Sequence, residues 1–237
     1  MINLNIENQL ELLNQFQRYY SDLPFESNPK DGIRYYFEND WYAYTDAIFL
    51  YSMIRHFKPK NIIEVGSGFS SSVIMDTNDL FFNSEINLTF IDPDTNRLLS
   101  LMRQSDFERN KILKSTVQNV PISEFQNLES GDFLFIDSSH YFSSGSDLEF
   151  LFFEVLPKLK SGVFIHFHDI FNDFKYPEKF RNQGWNESYF LKSFLMYNND
   201  FEIKIFSDYL AKNHIEELSK LEICMKNTGG NIWIQKK

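Results

Sequence analysis

Apolar and polar positions along the chain follow two different periods, which predicts an α/β protein. Two short segments, 132–137 and 162–167, are continuously apolar, as is typical of parallel strands covered on both faces. Stretches with helical spacing separate the strands. The predicted strands lie near 61–65, 88–92, 112–117, 132–137, 162–167, 201–206 and 231–236. The pattern therefore predicts a mostly parallel sheet with helices on both faces.

The start of the chain has a different character from the rest. Apolar side chains recur on one helical face at Ile6, Leu10, Leu13 and Phe16, and a polar, turn-rich stretch follows at 21–31. A second helix is predicted from Asp46 to Phe57, where the residues before Pro59 end it. We therefore expect an N-terminal helical extension over 1–39 and a single domain over 40–237, for which 237 residues are sufficient.

A small-residue turn directly after the first strand predicts a cofactor site. The strand ends in Glu64, and two glycines follow within four residues. Such a turn lets the backbone approach a ligand closely, and the next helix directs its free N–H groups to the same place. The dinucleotide fingerprint needs a third glycine where Ser71 stands, which disfavours a nicotinamide oxidoreductase. The predicted cofactor contacts in this turn are Glu64, Gly66, Ser67, Gly68, Ser70 and Ser71.

Polar residues at the ends of other strands extend the predicted cofactor site. Asp92 lies 26 positions beyond Gly66, where an acid can bond ribose hydroxyls, although it can also simply open a loop before Pro93. Gln118 and Asn119 can contact an adenine edge or serve as turn residues. Asp137 closes the fourth strand and joins this set. Glu64 can alternatively act as a structural acceptor for the glycine turn.

Two polar segments after strands four and five predict the reaction centre. Asp137 and His140 follow one strand, and His168 and Asp169 end the next, so the four side chains should converge as catalytic residues. They suit a general base for a hydroxyl, or a divalent metal held by Asp137, His168 and Asp169. His166 shares a strand face with His168 and is expected to be a buried structural histidine.

Two aromatic, polar segments are predicted to bind the substrate. One carries Trp41 and Tyr42 before the second helix, and the other carries Trp185, Asn186 and Glu187 after the fifth strand. Long irregular stretches beyond the ends of strands commonly hold binding loops. Ordinary core packing and helix capping are the alternative interpretation of both segments.

Composition narrows the expected partners. The formal net charge of -10 argues against nucleic acid as a ligand and favours a neutral or cationic small molecule. One cysteine excludes an internal disulfide, and no apolar run approaches the ~20 residues of a membrane span. We expect a cytoplasmic protein without a membrane or nucleic-acid partner. The oligomeric state and the acceptor stay open.

Several motifs together resemble a bacterial family of class I S-adenosylmethionine-dependent methyltransferases. The resemblance rests on Asp46 to Leu50, Glu64 to Ser71, Phe135 to His140, Gly162 to Phe171, and Trp185 to Glu187. It implies a Rossmann-like, seven-stranded sheet of order 3-2-1-4-5-7-6 that uses S-adenosyl-L-methionine to methylate a small-molecule acceptor at a hydroxyl oxygen. Related families hold a divalent metal with carboxylates after strands four and five, where this chain has His168 and Asp169. A non-catalytic S-adenosylmethionine-binding partner subunit is the alternative.

Overall fold

A seven-stranded sheet forms the centre of the molecule in the computed structural model, which describes residues 2–237. Its strand order is β3-β2-β1-β4-β5-β7-β6, as predicted. The first five strands run parallel, and β7 runs antiparallel to both of its neighbours. The strands are β1 (Asn61–Val65), β2 (Asn87–Ile91), β3 (Lys111–Leu113), β4 (Phe133–Ile136), β5 (Phe164–His168), β6 (Phe201–Phe206) and β7 (Asn231–Lys236).

Ten α-helices within residues 2–237 cover the sheet or connect its strands. They are α1 (Ile6–Tyr20), α2 (Thr45–Phe57), α3 (Phe69–Phe81), α4 (Asn96–Leu101), α5 (Asp106–Arg109), α6 (Ile122–Gln126), α7 (Asp147–Phe150), α8 (Glu187–Tyr197), α9 (Ser207–Asn213) and α10 (Ile215–Leu218). Between residues 2 and 237, no helix combines the length and apolar character required to cross a bilayer.

Alternation along the strands produces two hydrophobic cores, one on each face of the sheet. Phe133 and Phe135 of β4 point into the first core, whereas Leu134 and Ile136 point into the second. The predicted N-terminal helix α1 buries Leu13 and Phe16 in the first core, where they join side chains of α2 and α3. The first 39 residues thus share a core with the sheet, and the boundary at residue 39 stays a prediction.

Some elements differ from their predicted bounds. Strand β3 has three residues, because the chain turns at Val117–Asn119 into a 3-10 helix, and the predicted strand 112–117 was too long. Strand β5 continues to His168, since its pairing with β7 reaches Asn231. Helix α7 is capped by Ser146, whose hydroxyl accepts a hydrogen bond from the Glu149 backbone N–H at 3.1 Å.

A buried ion network fixes the segment between α1 and α2. The Arg34 guanidinium contacts carboxylate oxygens of Asp76 at 2.6 Å and Asp106 at 2.6 Å, and a third contact reaches Asp79 at 2.8 Å. Asp76 also accepts the backbone N–H groups of Arg34 and Tyr35. The network ties residues 34 and 35 to α3 and α5, so the segment that follows them enters the site from a fixed position.

We predict that Asp76→Ala lowers the free energy of unfolding by about 3 to 5 kcal/mol, because it removes one of the two fully buried carboxylates that pair with Arg34 and leaves the N–H groups of Arg34 and Tyr35 without their acceptor. Urea unfolding followed by circular dichroism measures the change. Lys158→Ala breaks the exposed pair with Glu154 and should cost under about 1 kcal/mol. Equal effects of the two variants would contradict a structural role for the Arg34 network.

Candidate functional site

The glycine turn brings the carboxyl ends of three strands together. Gly66 has a φ of 81°, and a Cβ there would lie 1.7 Å from the carbonyl oxygen of Asp137. Its N–H donates to Ile91 O at 2.9 Å, and the Ser67 N–H donates to the Asp92 carboxylate at 2.8 Å. Only glycine accommodates both the positive φ and the close approach of β4. The turn therefore sets the spacing between Asp92 and Asp137.

Glu64 and Ser71 stabilise this turn through buried hydrogen bonds. Both are fully buried, and the Ser71 hydroxyl donates to the Glu64 carboxylate while accepting the Gly68 N–H at 2.9 Å. Burial raises the pKa of Glu64 to about 8, despite hydrogen bonds from neighbouring serines. Neither residue lies on a cavity wall, so the structure places them where they shape the turn.

Two cavities meet at Gly66. The first, of about 550 Å³, extends from the glycine turn to the histidine and carboxylate cluster, and the second, of about 510 Å³, extends over Pro93 and Val117. The residues on both walls are Gly66, Asp92, Asp137, Ser138 and Ser139. The two cavities adjoin along these residues at the carboxyl edge of the sheet, where ligands bind in open α/β folds, and together they are called the channel below.

The second cavity contains polar atoms suited to a ligand. Ser138 Oγ and Gln118 Oε1 are buried and have no hydrogen-bond partner among residues 2–237. Gln118 also donates to Gly145 O at 2.9 Å, which holds it on the wall. Asn119 instead donates to Thr116 Oγ1 at 3.0 Å and does not line either cavity. Buried polar atoms are usually satisfied, so these two are available for hydrogen bonds to a ligand in the cavity.

Asp137, His140, His168 and Asp169 converge at the inner end of the first cavity. Asp137 Oδ1 lies 3.4 Å from His140 Nε2 and 3.3 Å from His168 Nδ1. One ligand atom from each of these three residues lies within 4.8 Å of the others. Asp169 Oδ2 lies 3.7 Å and 3.8 Å from the same two imidazole nitrogens. Relative to the predicted metal set, the structure groups His140 with Asp137 and His168 and leaves Asp169 at its side.

A further carboxylate lies outside each imidazole. The fully buried Glu187 contacts His140 Nδ1 at 2.7 Å. A carboxylate in hydrogen-bond contact fixes which nitrogen of the ring faces inward, as for metal-binding histidines. Asp46, which accepts from the Gly230 N–H and the Asn231 amide, lies 3.6 Å from His168 Nε2, an electrostatic contact beyond hydrogen-bond distance.

The carboxylates also decide the charge of the cluster. Burial alone would lower the pKa of His140, but its contacts with Asp137 and Glu187 raise that pKa to about 10. The pKa of His168 is likewise raised well above its ordinary value, although burial opposes this, because Asp137 and Asp169 lie close. Burial would raise the pKa of Asp137, yet the two imidazoles hold it well below its usual range. The carboxylates therefore favour the protonated form of both imidazoles.

Two residues of the cluster have left-handed backbone conformations. The φ of His140 is 57° and that of Asp169 is 53°. Each such residue costs about 1 to 2 kcal/mol relative to ordinary backbone. The loop before His140 is held by Asp147, whose carboxylate accepts both the N–H and the hydroxyl of Ser139. Backbone strain maintained by surrounding contacts is common at functional sites.

Aromatic side chains enclose the first cavity. Tyr42 is buried against the His168 ring at 5.1 Å between centroids, and Trp185 packs on His140 at 4.5 Å. Trp41 is 57% exposed and lies at the cavity wall. The structure does not bring Asn186 and Glu187 to this wall. The Asn186 side chain bonds the backbone of Phe142, and Glu187 lies behind His140.

Residues of the first cavity that were not predicted as site residues include Asp46 and Arg97. Asp46 opens a motif of the family resemblance, but a carboxylate at the first turn of a helix is also ordinary, and the prediction gave it no role at the site. Arg97 lies in no motif. His166 is buried as expected and stacks on Phe135 at 3.9 Å between centroids.

Comparisons with known proteins agree with this architecture. Residues 63–170, which carry the glycine turn and the four-residue cluster, match a family model described as a methyltransferase domain. An uncharacterized protein of Archaeoglobus fulgidus is 34% identical over 131 residues, a match that spans 54% of this chain and 58% of that protein.

Solved structures show the same fold. A methyltransferase from Podospora anserina, bound to S-adenosylhomocysteine, is 13% identical with a TM-score of 0.51, and the alignment covers 96% of this chain and 88% of that one. An O-methyltransferase from Bacillus cereus, solved with S-adenosylhomocysteine, is 13% identical with a TM-score of 0.52, covering 97% and 90%. The chain therefore has the Rossmann-like class I methyltransferase fold.

Gly66→Ala should abolish ligand binding at the channel, because the new methyl group displaces the Asp137 carbonyl and opens the contact between β1 and β4. Gly131→Ala provides the matched control, since Gly131 also has a positive φ but has nothing within 4 Å of its added Cβ. The control should lose roughly 1 to 2 kcal/mol of stability and keep its affinity. Calorimetric titration with S-adenosylhomocysteine measures both variants. Full affinity in Gly66→Ala would show that the close contact is unnecessary for the site.

Proposed function

We propose that this protein is an S-adenosylmethionine-dependent methyltransferase that methylates a hydroxyl oxygen of a small-molecule acceptor. One observation carries the proposal: two cavities adjoin at the glycine turn, and one of them is also lined by Asp137, His140, His168 and Asp169. The matched methyltransferase domain and the fold support it. A cofactor-binding subunit without activity would have no need for the strained cluster at the channel's inner end.

The residues of the channel fit S-adenosylmethionine. The second cavity offers apolar walls from Ile91, Pro93 and Val117 for an adenine ring, together with the unpartnered Gln118 oxygen. Asp92, which lines both cavities, would accept hydrogen bonds from the ribose hydroxyls. Gly66 lies on the walls of both cavities, where the chain that joins the ribose to the amino-acid part would pass. When bound, the cofactor supplies an electrophilic methyl group on a sulfonium sulfur.

Asp169 is our candidate for the proton acceptor. Burial raises the pKa of its carboxyl group, although the nearby imidazoles oppose the shift, and a more basic carboxylate removes a hydroxyl proton more readily. With the cofactor bound, its sulfonium would supply the methyl group to the acceptor oxygen and keep the electron pair of the broken sulfur–carbon bond. The hydroxyl proton passes to Asp169 Oδ2. His140 and His168 keep the acceptor oriented beside this atom.

A divalent metal fits the other three members of the cluster. Asp137, His140 and His168 each present one donor atom to a common centre, and Glu187 fixes the His140 ring from outside. Two imidazole nitrogens and a carboxylate suit Mn, Fe or Zn better than Mg. When bound, the metal would lower the pKa of the acceptor hydroxyl.

The acceptor is proposed to enter between the aromatic walls. Trp185 packs on His140 and stacks on Phe180 at 4.7 Å between centroids, and Phe180 contacts Phe171 at 5.6 Å. This row of rings leads from the cavity mouth to the cluster. It would cover an apolar or planar part of the acceptor and exclude water during transfer. Tyr42 closes the cavity beside His168.

We expect S-adenosylhomocysteine to bind and NAD not to bind. A ligand present at 100 times its dissociation constant stabilises a fold by about 2.7 kcal/mol, which shifts the melting temperature measurably. Asp92→Ala should weaken binding by about 10- to 100-fold, because charge-assisted bonds to the ribose are lost. Asp31→Ala, an exposed carboxylate away from the channel, is the control. Tight binding of NAD and none of S-adenosylhomocysteine would refute the proposed cofactor.

We expect Mn²⁺ or Zn²⁺ to bind, and affinity to be lost in His140→Ala. Glu187→Gln should weaken metal affinity by about 10- to 100-fold, since the carboxylate no longer orients His140. Glu178→Gln, at an exposed pair with Arg181, is the control for Glu187. Calorimetric titration of the chelator-treated protein measures all four proteins. Methyl transfer that resists chelators but is lost in Asp169→Asn would contradict the metal and leave Asp169 as the base alone.

A further inference from the structure

Two positively charged side chains line the first cavity without an acidic partner. Arg97 and Lys179 are on its wall, and neither forms an ion pair with a carboxylate anywhere in residues 2–237. The same wall carries five carboxylates, those of Asp40, Asp46, Asp92, Asp137 and Asp169. An anionic group entering such a cavity is repelled by these acids and needs one of the two cations as its partner.

Arg97 lies directly over the glycine turn. A Cβ at Gly68 would lie 2.8 Å from Arg97 Cδ, so the aliphatic stem of the arginine covers that glycine. The guanidinium lies 3.6 Å over the Trp41 ring. Stacking on an aromatic face holds the guanidinium in place while leaving its in-plane N–H donors unused. Arg97 is thus positioned by packing, with its hydrogen-bonding edge available to a ligand.

Lys179 belongs to the other side of the cavity. Its ammonium lies 4.6 Å from the centroid of Phe180, which stacks on Trp185. Trp185 in turn packs on His140, so Lys179 continues the aromatic row along which the acceptor is proposed to enter. The two cations therefore lie on different parts of the cavity wall, Arg97 at the glycine turn and Lys179 at the aromatic row.

We infer that Arg97, stacked on Trp41, binds the α-carboxylate of the cofactor's amino-acid part. This rests on the proposed function. If the adenosine occupies the second cavity and Asp92 bonds the ribose, the amino-acid part extends past Gly66 into the first cavity, beneath Arg97. The ammonium group and the sulfonium are attracted by the aspartates of the cavity wall. The carboxylate is attracted by the guanidinium of Arg97, the cation at the glycine turn. A guanidinium fork bonds a carboxylate through two parallel N–H groups.

A comparison of ligands with and without the carboxylate tests this assignment. S-adenosylhomocysteine, its decarboxylated analogue and 5′-methylthioadenosine are titrated by calorimetry into the wild-type protein, Arg97→Gln and Arg18→Gln. Arg18 is an exposed arginine on α1 and serves as the matched control. Arg97→Gln should lower affinity for S-adenosylhomocysteine by about 10- to 100-fold. Its affinity for the two ligands without a carboxylate should equal that of the wild type, and Arg18→Gln should match the wild type throughout.

The outcomes separate this inference from the proposed function. Wild-type affinity of Arg97→Gln for S-adenosylhomocysteine, or an equal loss for all three ligands, would overturn the role of Arg97 and leave the proposed cofactor intact. Failure of the folded wild-type protein to bind any of the three would overturn the proposed function and the assignment with it. Melting temperatures of the variants confirm that each protein is folded.

Discussion

The contact between Gly66 and the Asp137 carbonyl is the constraint on which the site depends. Parallel strands place their carboxyl ends at one edge, but ordinary side chains would hold those ends apart. The missing Cβ at residue 66 lets β4 end against the turn that follows β1. The same turn directs the Ser67 N–H to Asp92, at the end of β2. One backbone contact thus links the ribose end of the channel to its reactive end.

Electrostatics then explains why the inner end of the channel favours cations. Four carboxyl groups surround two imidazoles, so even two protonated imidazoles leave an excess of two negative charges when every acid is ionised. Burial raises the pKa values of Asp169 and Glu187 despite the opposing effect of the imidazoles, which reduces that excess without a ligand. A divalent cation or a sulfonium would reduce it more directly. Charge balance therefore connects the metal and the cofactor, since each lessens the cost of the same buried acids.

The sheet was largely predictable because its information is local. Continuous apolar runs marked β4 and β5, and glycines marked the turn before α3. The convergence of Asp137 with His168 followed from their places at adjacent strand ends. The carboxylate beside each imidazole could not be predicted in the same way. Glu187 lies 47 residues from His140 in the sequence, and Asp46, near His168, belongs to α2, which precedes the first strand. Short periodic patterns carry no information on such pairings, which depend on how α2 and α8 pack.

The N-terminal segment joins stability to the site. Arg34 fixes this segment to α3 and α5. The hydroxyl of the next residue, Tyr35, donates to the Tyr42 carbonyl at 2.6 Å. Tyr42 packs on His168, and its neighbour Trp41 stacks on Arg97. A buried ion network is a weak source of net stability, but it defines position strongly, because its partners must meet in one geometry. In this fold the network fixes residues 34–42, which contact both Arg97 and the proposed metal ligand His168. A change at Arg34 is therefore expected to alter the channel through Tyr35 and Tyr42.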